Sequence, residues 1–483
     1  MSRSDTIAAD TVSWIWEGVG LNQEETNAVV LVNSGTEAGT PSTFKIAHLA
    51  QASIALSTLV AASFQAARLD EPIRKVRVDQ RHAVVEFKSE RFNTLDGCPP
   101  PSPWGPVGGL HKTSDGYVRV HDSFPNHGHG AAALLGAEFT RASLAEKLLA
   151  WKKIDFEEAA VKAGLACYAL RSEDEWNAHP QSSAIDTFPL SVSFVSNSPT
   201  PAPETSRLAS IPRSLVIRKP LAGVRVLEFS RVIAAPLAGK TLALHGADVL
   251  WVTAPHLPDL PSLDREFSRG KRSIQLDLRQ DSDQLKLKEL VAAADVVLQS
   301  YRPGALATKG LSLNDVAACN PSVVYATLSA FGSNGPWAER RGFDSLVQTV
   351  SGMNTEEAAA EGKGEPARVT PSQALDHAGG YLLAFGVLAA LRKRLDKPGV
   401  YEVETSLAQA MVLLRQLGRL PASTLDEYDP VTADEVRDLM QEGDSQLGKM
   451  AFIRHSGVIE GADGVWDELP RPLGSDKAEW KQY

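Results

Sequence analysis

Short apolar runs that alternate with helical stretches of about ten residues predict an α/β fold, a Rossmann-like parallel sheet with a smaller α+β domain beside it. Residues 224–229 (VRVLEF) form the first run, and 236–244 carry helical spacing. A second run, 249–252, follows the turn residues Gly246, Ala247 and Asp248. The rhythm continues through runs at 274–278, 296–299 and 323–328, with a helical stretch at 285–294 and another helix between the last two runs. The chain has 483 residues, enough for two to four domains at roughly 100–200 residues each. With 43% hydrophobic and 22% charged residues it is an ordinary globular composition, not a disordered or fibrous one.

Residues 191–218 (SVSFVSNSPTPAPETSRLASIPRSLVIR) break this pattern, being rich in Ser, Pro and Thr, and read as a linker. The chain therefore divides into residues 1–190, the linker 191–218, the Rossmann-like domain 219–418, and a tail, 419–483, expected to pack on the domains. Residues 1–190 hold a long helical pattern (46–68), a strand (76–78), a turn leading into 116–120, and helices near Ala131 and Ala145. Within them, residues 53–87 resemble residues 379–413: an apolar helix, an LD(E/K)P breaker, a strand and a second helix, at an offset of 326. The expectation is a duplicated element.

Charge and cysteine usage exclude several classes. The formal net charge is -10, so a general attraction to nucleic acid or anionic membranes is disfavoured, and a polyanionic ligand needs a local basic patch. Cys98, Cys167 and Cys319 lie far apart without metal-ligand spacing, so neither a disulfide framework nor a metal site is expected. The opening MSRSDTIAADTVSWIWEG lacks the features of a secretory signal, and the apolar stretch 46–69 is interrupted by His48, Gln51, Ser53, Ser57, Ser63, Gln65 and Arg68. A cytoplasmic location is expected.

The first strand-to-helix turn lacks GxGxxG, which weakens a dinucleotide reading, yet Ala234, Ala235 and Pro236 let a ligand approach a helix N-terminus. Arg269 and Lys271 in SRGKR, and Ser300, Tyr301 and Arg302 in SYRPG, sit at loop positions of the same sheet. Arg and Lys suit phosphate oxygens, and a Tyr face suits a base. Asp344 reads as an N-cap. Asp376 follows the helix-start signals Pro371 and Ser372, so it falls in or just before a first turn, where the helix dipole favours a carboxylate.

In order and spacing, PLAGVRVLEFSRV, GADVLWV, SRGKRSIQLDL, ADVVLQSYRPG, NPSVVYATLSAFGSNGP, RRGFDSLVQTVSGM and ALDHAGG resemble the class III CoA-transferases, the CaiB/BaiF family, which includes formyl-CoA transferase, carnitine CoA-transferase and α-methylacyl-CoA racemase. The resemblance covers about 220–415, and GGLHKTSDGYVRVH in the N-terminal part resembles the family's small domain. Because small-domain-like sequence comes first, the chain reads as a fused, degenerate duplication: 1–190 is a copy without its Rossmann half, and 219–418 is the CoA-binding catalytic domain. At the repeat's offset Asp376 falls opposite Ala50, so one copy keeps the carboxylate.

The resemblance implies that Asp376 is the nucleophile that opens an acyl-CoA thioester, giving an aspartyl mixed anhydride before CoA passes to a second carboxylic acid. It implies that Val232 and Ala235 line the CoA chain, that Arg269 and Lys271 form a phosphate-binding run, that Ser300, Tyr301 and Arg302 meet the adenosine diphosphate at a strand end, and that Gly342 and Phe343 flank the thioester. No permanently bound cofactor is implied, only CoA and acyl-CoA as substrate with a small carboxylic acid, and either a homodimer or an internal pseudo-dimer. Two departures stand out. Phe343 replaces the His with which the family's racemases move a proton, which disfavours an acyl-CoA racemase or isomerase, and His377 beside Asp376 points about 100° away along a helix. The small domain's glycine-rich loop has only Gly108-Gly109 as a weak counterpart. A non-catalytic CoA-binding pseudoenzyme and an NAD-dependent oxidoreductase complete the alternatives, the latter resting on fold alone.

Overall fold

This computed structural model describes residues 3–35, 40–197 and 207–482. Among them are sixteen strands: β1 (Val29–Val32), β2 (Val76–Asp79), β3 (Thr94–Leu95), β4 (Gly109–Lys112), β5 (Tyr117–Val120), β6 (Cys167–Ala169), β7 (Leu190–Asn197), β8 (Arg225–Phe229), β9 (Asp248–Thr253), β10 (Arg272–Gln275), β11 (Val296–Gln299), β12 (Val324–Ser329), β13 (Gly399–Ser406), β14 (Met440–Ser445), β15 (Gly448–Ile453) and β16 (Gly457–Ile459).

Seven of them form the main sheet in the order β10-β9-β8-β11-β12-β13-β7. The first six are parallel, and renumbered from β8 they run 3-2-1-4-5-6, the doubly wound Rossmann order. Alternate side chains enter different cores. Val226, Val249, Val296 and Val324 face one apolar cluster, while Leu227, Leu250 and Val297 face another. Burial on both faces is why these strands read as unbroken apolar runs.

The seventh strand corrects the expected division of the chain. Residues 191–197 were expected to open a linker, yet they belong to β7, which pairs antiparallel with β13 and closes the sheet edge. Leu190, Val192 and Phe194 turn its apolar side inward, while Ser193 and residues 195–197 are exposed, as an edge strand tolerates, so composition alone resembles a linker. The rest of the expected linker includes residues 198–206, which lie outside the described residues, and a short helix, Arg213–Arg218.

The two segments expected to repeat have the same local order of elements. The helices Ile46–Leu69 and Ala374–Asp396 pack against each other at the centre of the larger core. Each leads into a strand (β2, β13) and then a second helix (Gln80–Glu86, Leu407–Gln416). Each strand pairs with a parallel neighbour on one side (β1, β12) and an antiparallel neighbour on the other (β16, β7). Both long helices are apolar enough to span a membrane by length and composition, and their apolar windows are wholly buried in the core.

The N-terminal half also carries the antiparallel sheet β4-β5-β6, with helices Pro125–Leu135, Arg141–Leu148 and Lys153–Lys162 packed around Val118, Val120, Leu144 and Phe156. The C-terminal residues tie the parts together. β16 completes the β1-β2 sheet, Trp466 donates to Lys240 O at 3.1 Å, and Trp480 donates to Leu290 O at 3.2 Å.

One buried junction joins all three regions. Glu86 accepts from the Tyr381 hydroxyl at 2.8 Å and from Ser456 N and Oγ at 2.8 and 2.7 Å, and it meets His455 Nδ1 at 2.8 Å. Burial alone would raise its pKa, but the charge and hydrogen bond of His455, with the nearby Lys240 and His82, together outweigh burial and hold the carboxyl well below the usual range. Leaving the partners of a buried ion unpaired costs about 3 kcal/mol or more, so Glu86→Gln is expected to lower the midpoint of chemical denaturation clearly at pH 7. A depressed folded pKa contributes in full above the unfolded value near 4.5. The gap between wild type and variant should therefore close as the pH falls below that value toward the lower folded one.

Candidate active site

β8 ends at Phe229, and the chain turns through Ser230, Arg231 and Val232 into the helix Ala234–Leu244. Val232 has φ of 73°, a left-handed conformation that is costly for a β-branched residue and is retained where a site needs it. The turn lies beside the C-terminal end of β11, at the point where strand order reverses, the position at which open α/β sheets bind ligands. A cavity of about 420 Å³ opens there. Val232, Ala235, Ser300, Tyr301, Arg302, Gly342, Phe343 and Asp376 line it, so eight of the residues expected from sequence come together. Four guanidinium side chains, Arg231, Arg302, Arg340 and Arg341, also line it; Arg340 is paired with Glu158 at 2.8 Å and Glu157 at 3.5 Å, which leaves Arg231, Arg302 and Arg341 to meet an anion. For a chain of net charge -10 this is the local basic patch that a polyanionic ligand requires. A smaller recess of about 150 Å³ continues from it past Arg231 and Tyr301 to Trp251 and Asp264.

Arg269 and Lys271 are elsewhere, which corrects their assignment to a phosphate-binding run. Arg269 is buried, donating to Ile453 O at 3.0 Å and pairing with Glu266. Lys271 is buried on Glu228 at 2.7 Å and Pro236 O at 2.7 Å. The acidic partners lie in other parts of the sequence or one helical turn back, so spacing gave no warning that these cations are internally neutralised.

Asp376 stands at the third position of the helix Ala374–Asp396. The helix is brought close to the β8 turn by Gly380, where a Cβ would lie 2.4 Å from Ala234 O. Asp344 was expected as an N-cap of its own helix. It is instead the first residue of the helix Asp344–Val350, and its carboxylate caps a different one, accepting from Leu375 N at 2.8 Å and Asp376 N at 3.0 Å. Gln348 Nε2 donates to its other oxygen. Burial pushes Asp344 up to about 6 despite these bonds. Asp376 is raised well above its ordinary value, first by burial and then by the charges of Asp344 and Glu90. Among the described residues no hydrogen-bond donor reaches the Asp376 carboxyl, which is 7% exposed and lines the cavity.

The N-terminal half closes over this carboxyl. His377 turns away from the cavity, as its place on the helix requires, and binds Glu90 Oε2 through Nε2 at 3.0 Å. Phe343 is stacked on His121, ring centroids 3.8 Å apart, and Arg231 lies 4.3 Å over the Phe124 ring. Burial lowers His121 to about 3 and His127, another lining residue of the cavity, to about 4, so both imidazoles are neutral at pH 7. A second cavity, about 380 Å³, lies on the other side of Asp376. Asp376, Val232 and Phe343 line both.

Sequence reasoning missed Arg231, Arg340 and Arg341, although the last two precede Gly342 in the quoted RRGFDS. It also missed the whole wall contributed by residues 90–127, for which only the contact across the fold gives a signal. Gly108-Gly109 lines neither cavity. This turn is instead anchored on Asp122, which accepts from Gly105, Val107 and Gly108 N at 3.1, 2.9 and 2.6 Å.

The profile described as CoA-transferase family III matches residues 221–433. A protein of Mycobacterium tuberculosis described as a probable fatty acyl-CoA transferase is 40% identical over 262 residues, covering 50% of this chain and 64% of its own. The succinate–glutarate CoA-transferase of Agrobacterium fabrum is 30% identical over 275 residues, 50% of this chain and 68% of its own. The chain belongs to CoA-transferase family III. The crystal structure of a CaiB/BaiF family protein from Brucella suis aligns over 49% of this chain and 66% of its own, with 27% identity and a TM-score of 0.37. The family III match lies wholly downstream of residues 1–190, and this chain spans 64%, 32% and 46% of the lengths of its first three curated relatives.

Proposed function

We propose that this family III member transfers CoA from an acyl-CoA thioester to a carboxylic acid, with Asp376 as covalent nucleophile. The observation that carries the reading is the position of the Asp376 carboxyl: at a helix N-terminus, between an arginine-lined cavity at the sheet's switch point and a second chamber. The pantetheine and its nucleotide phosphates occupy the arginine-lined side, and the acyl group the other. The carboxylate adds to the thioester carbonyl, the C–S bond breaks, and CoA leaves as thiolate, giving the aspartyl mixed anhydride. The thiolate then attacks the aspartyl carbonyl and releases the first acid as its carboxylate. The same two steps run in reverse with the incoming carboxylate regenerate Asp376 and yield the new thioester.

Hydroxylamine added to protein incubated with acyl-CoA is expected to convert Asp376 to the hydroxamate, read by peptide mass. An unmodified Asp376 under turnover would overturn the nucleophile. The N-terminal half walls the same site, so the chain acts as an internal pseudo-dimer with its site complete in one polypeptide. Accordingly, mixing Asp376→Asn protein with a Trp104→Ala variant should restore no activity beyond the sum of the two, and recovery would mean that sites form between chains. The racemase alternative requires a base at the acyl α-carbon. Phe343 occupies the corresponding place, and the nearby imidazoles are held far below the range of an effective base. Deuterium from solvent should therefore fail to enter the α-carbon.

A further inference from the structure

We infer that the second cavity selects apolar monocarboxylic acyl groups, of medium-chain or aromatic type, and rejects acyl groups that carry a second carboxylate; this rests on the reading of Asp376 just given. The chamber holds about 380 Å³. At roughly 30 Å³ for a water-sized group this is on the order of a dozen such groups, room for an eight-carbon chain or a benzene ring. Its walls come from both halves of the chain. Pro99, Pro100, Pro101 and Trp104 supply one side, and Leu263 and Val431 another. Trp104 and Val431 are 45% and 66% exposed, large apolar side chains left open where an apolar guest would cover them.

The charges of the chamber decide against a diacid. Glu90 and Asp376, both carboxyl groups, line it, and Glu90 is held ionised below its ordinary value against burial by its hydrogen bond to His377. Among the described lining residues Arg91 is the one cation, and it is engaged elsewhere: Nη1 faces Asp429 at 3.5 Å and Nη2 donates to Pro371 O. A second carboxylate on the acyl group would thus enter beside the buried Glu90 carboxylate, a like charge, with no free cation among the described lining residues, an arrangement that burial of the charges makes costly. Trp104 is held from its C-terminal side. The chain that follows hangs on the Asp122 carboxylate, and the Trp104 ring meets His121 edge-on with centroids 5.1 Å apart.

The test is calorimetric titration of the full-length protein with octanoyl-CoA, benzoyl-CoA and succinyl-CoA, with CoA itself as the reference that has no acyl group. Octanoyl-CoA and benzoyl-CoA are expected to bind at least tenfold more tightly than succinyl-CoA. Val431→Arg, a substitution at an exposed position that places a cation at the chamber mouth, is expected to shrink that ratio about tenfold. Trp104→Ala should weaken octanoyl-CoA several-fold and succinyl-CoA little. Succinyl-CoA binding as tightly as octanoyl-CoA, or a ratio that neither variant moves, would overturn the selectivity while leaving CoA binding and the nucleophile intact. If CoA and all three thioesters fail to bind, the proposed function falls and takes this inference with it.

Discussion

On the proposed mechanism, Asp376→Asn is expected to lower CoA transfer by at least about 10³-fold, because the amide cannot form the anhydride. The same substitution should make the protein more stable at neutral pH. The folded pKa of Asp376 is raised, by burial and then by Asp344 and Glu90, so ionising it costs folding free energy as the pH climbs from the unfolded value near 3.8 toward the folded one. Asparagine removes that cost. The expected result is an unchanged melting temperature at pH 3, where both states are protonated, and a higher one than wild type at pH 7. A variant that loses activity and stability together would contradict the account of a nucleophile held under electrostatic stress.

On the same proposal Asp344, whose carboxylate accepts from Leu375 N and Asp376 N, is a positioning residue. Asp344→Ala leaves the N–H groups of Leu375 and Asp376 without their acceptor and is expected to reduce kcat about 10²-fold through misplacement of the attacking oxygen. Asp344→Asn keeps an acceptor for the cap but removes the like charge. It should recover much of the rate and move the acidic limb of the pH–rate profile to lower pH, since Asp376 then ionises more easily. A purely structural role would lower the melting temperature without moving that limb, and the pH profile separates the two. Because the two carboxyl groups share one buried site, the profile reports the pair rather than either group alone.

The parallel sheet was legible because burial on both faces leaves an unambiguous mark: the strand expected at 296–299 is β11 itself, and the others shift by a few residues. β7 was not legible, since an edge strand with Ser on its exposed side carries the composition of a loop. The candidate site divides along the same physical line. Residues that contact the ligand space through the sheet's own turns, from Val232 to Phe343, were readable from their place in the α/β rhythm and the family resemblance. The basic run at Arg269 and Lys271 misled, because a cation's availability depends on partners such as Glu228 that only folding brings near. Asp344 was recognised as a capping residue, but which helix it caps depends on tertiary structure. The wall formed by Glu90, Trp104 and His121 was invisible for the same reason: nothing local in residues 90–121 says that they face residue 376.

The paired helices Ile46–Leu69 and Ala374–Asp396 have a consequence for how the protein changes over time. When two copies of an element are encoded once and assemble from separate chains, every mutation strikes both places together, and a gain at one must be tolerated at the other. Here each copy is written separately, with Ala50 where its counterpart has Asp376. Because the two similar segments are encoded separately, each can change without the other, a freedom closed to any strictly symmetric assembly.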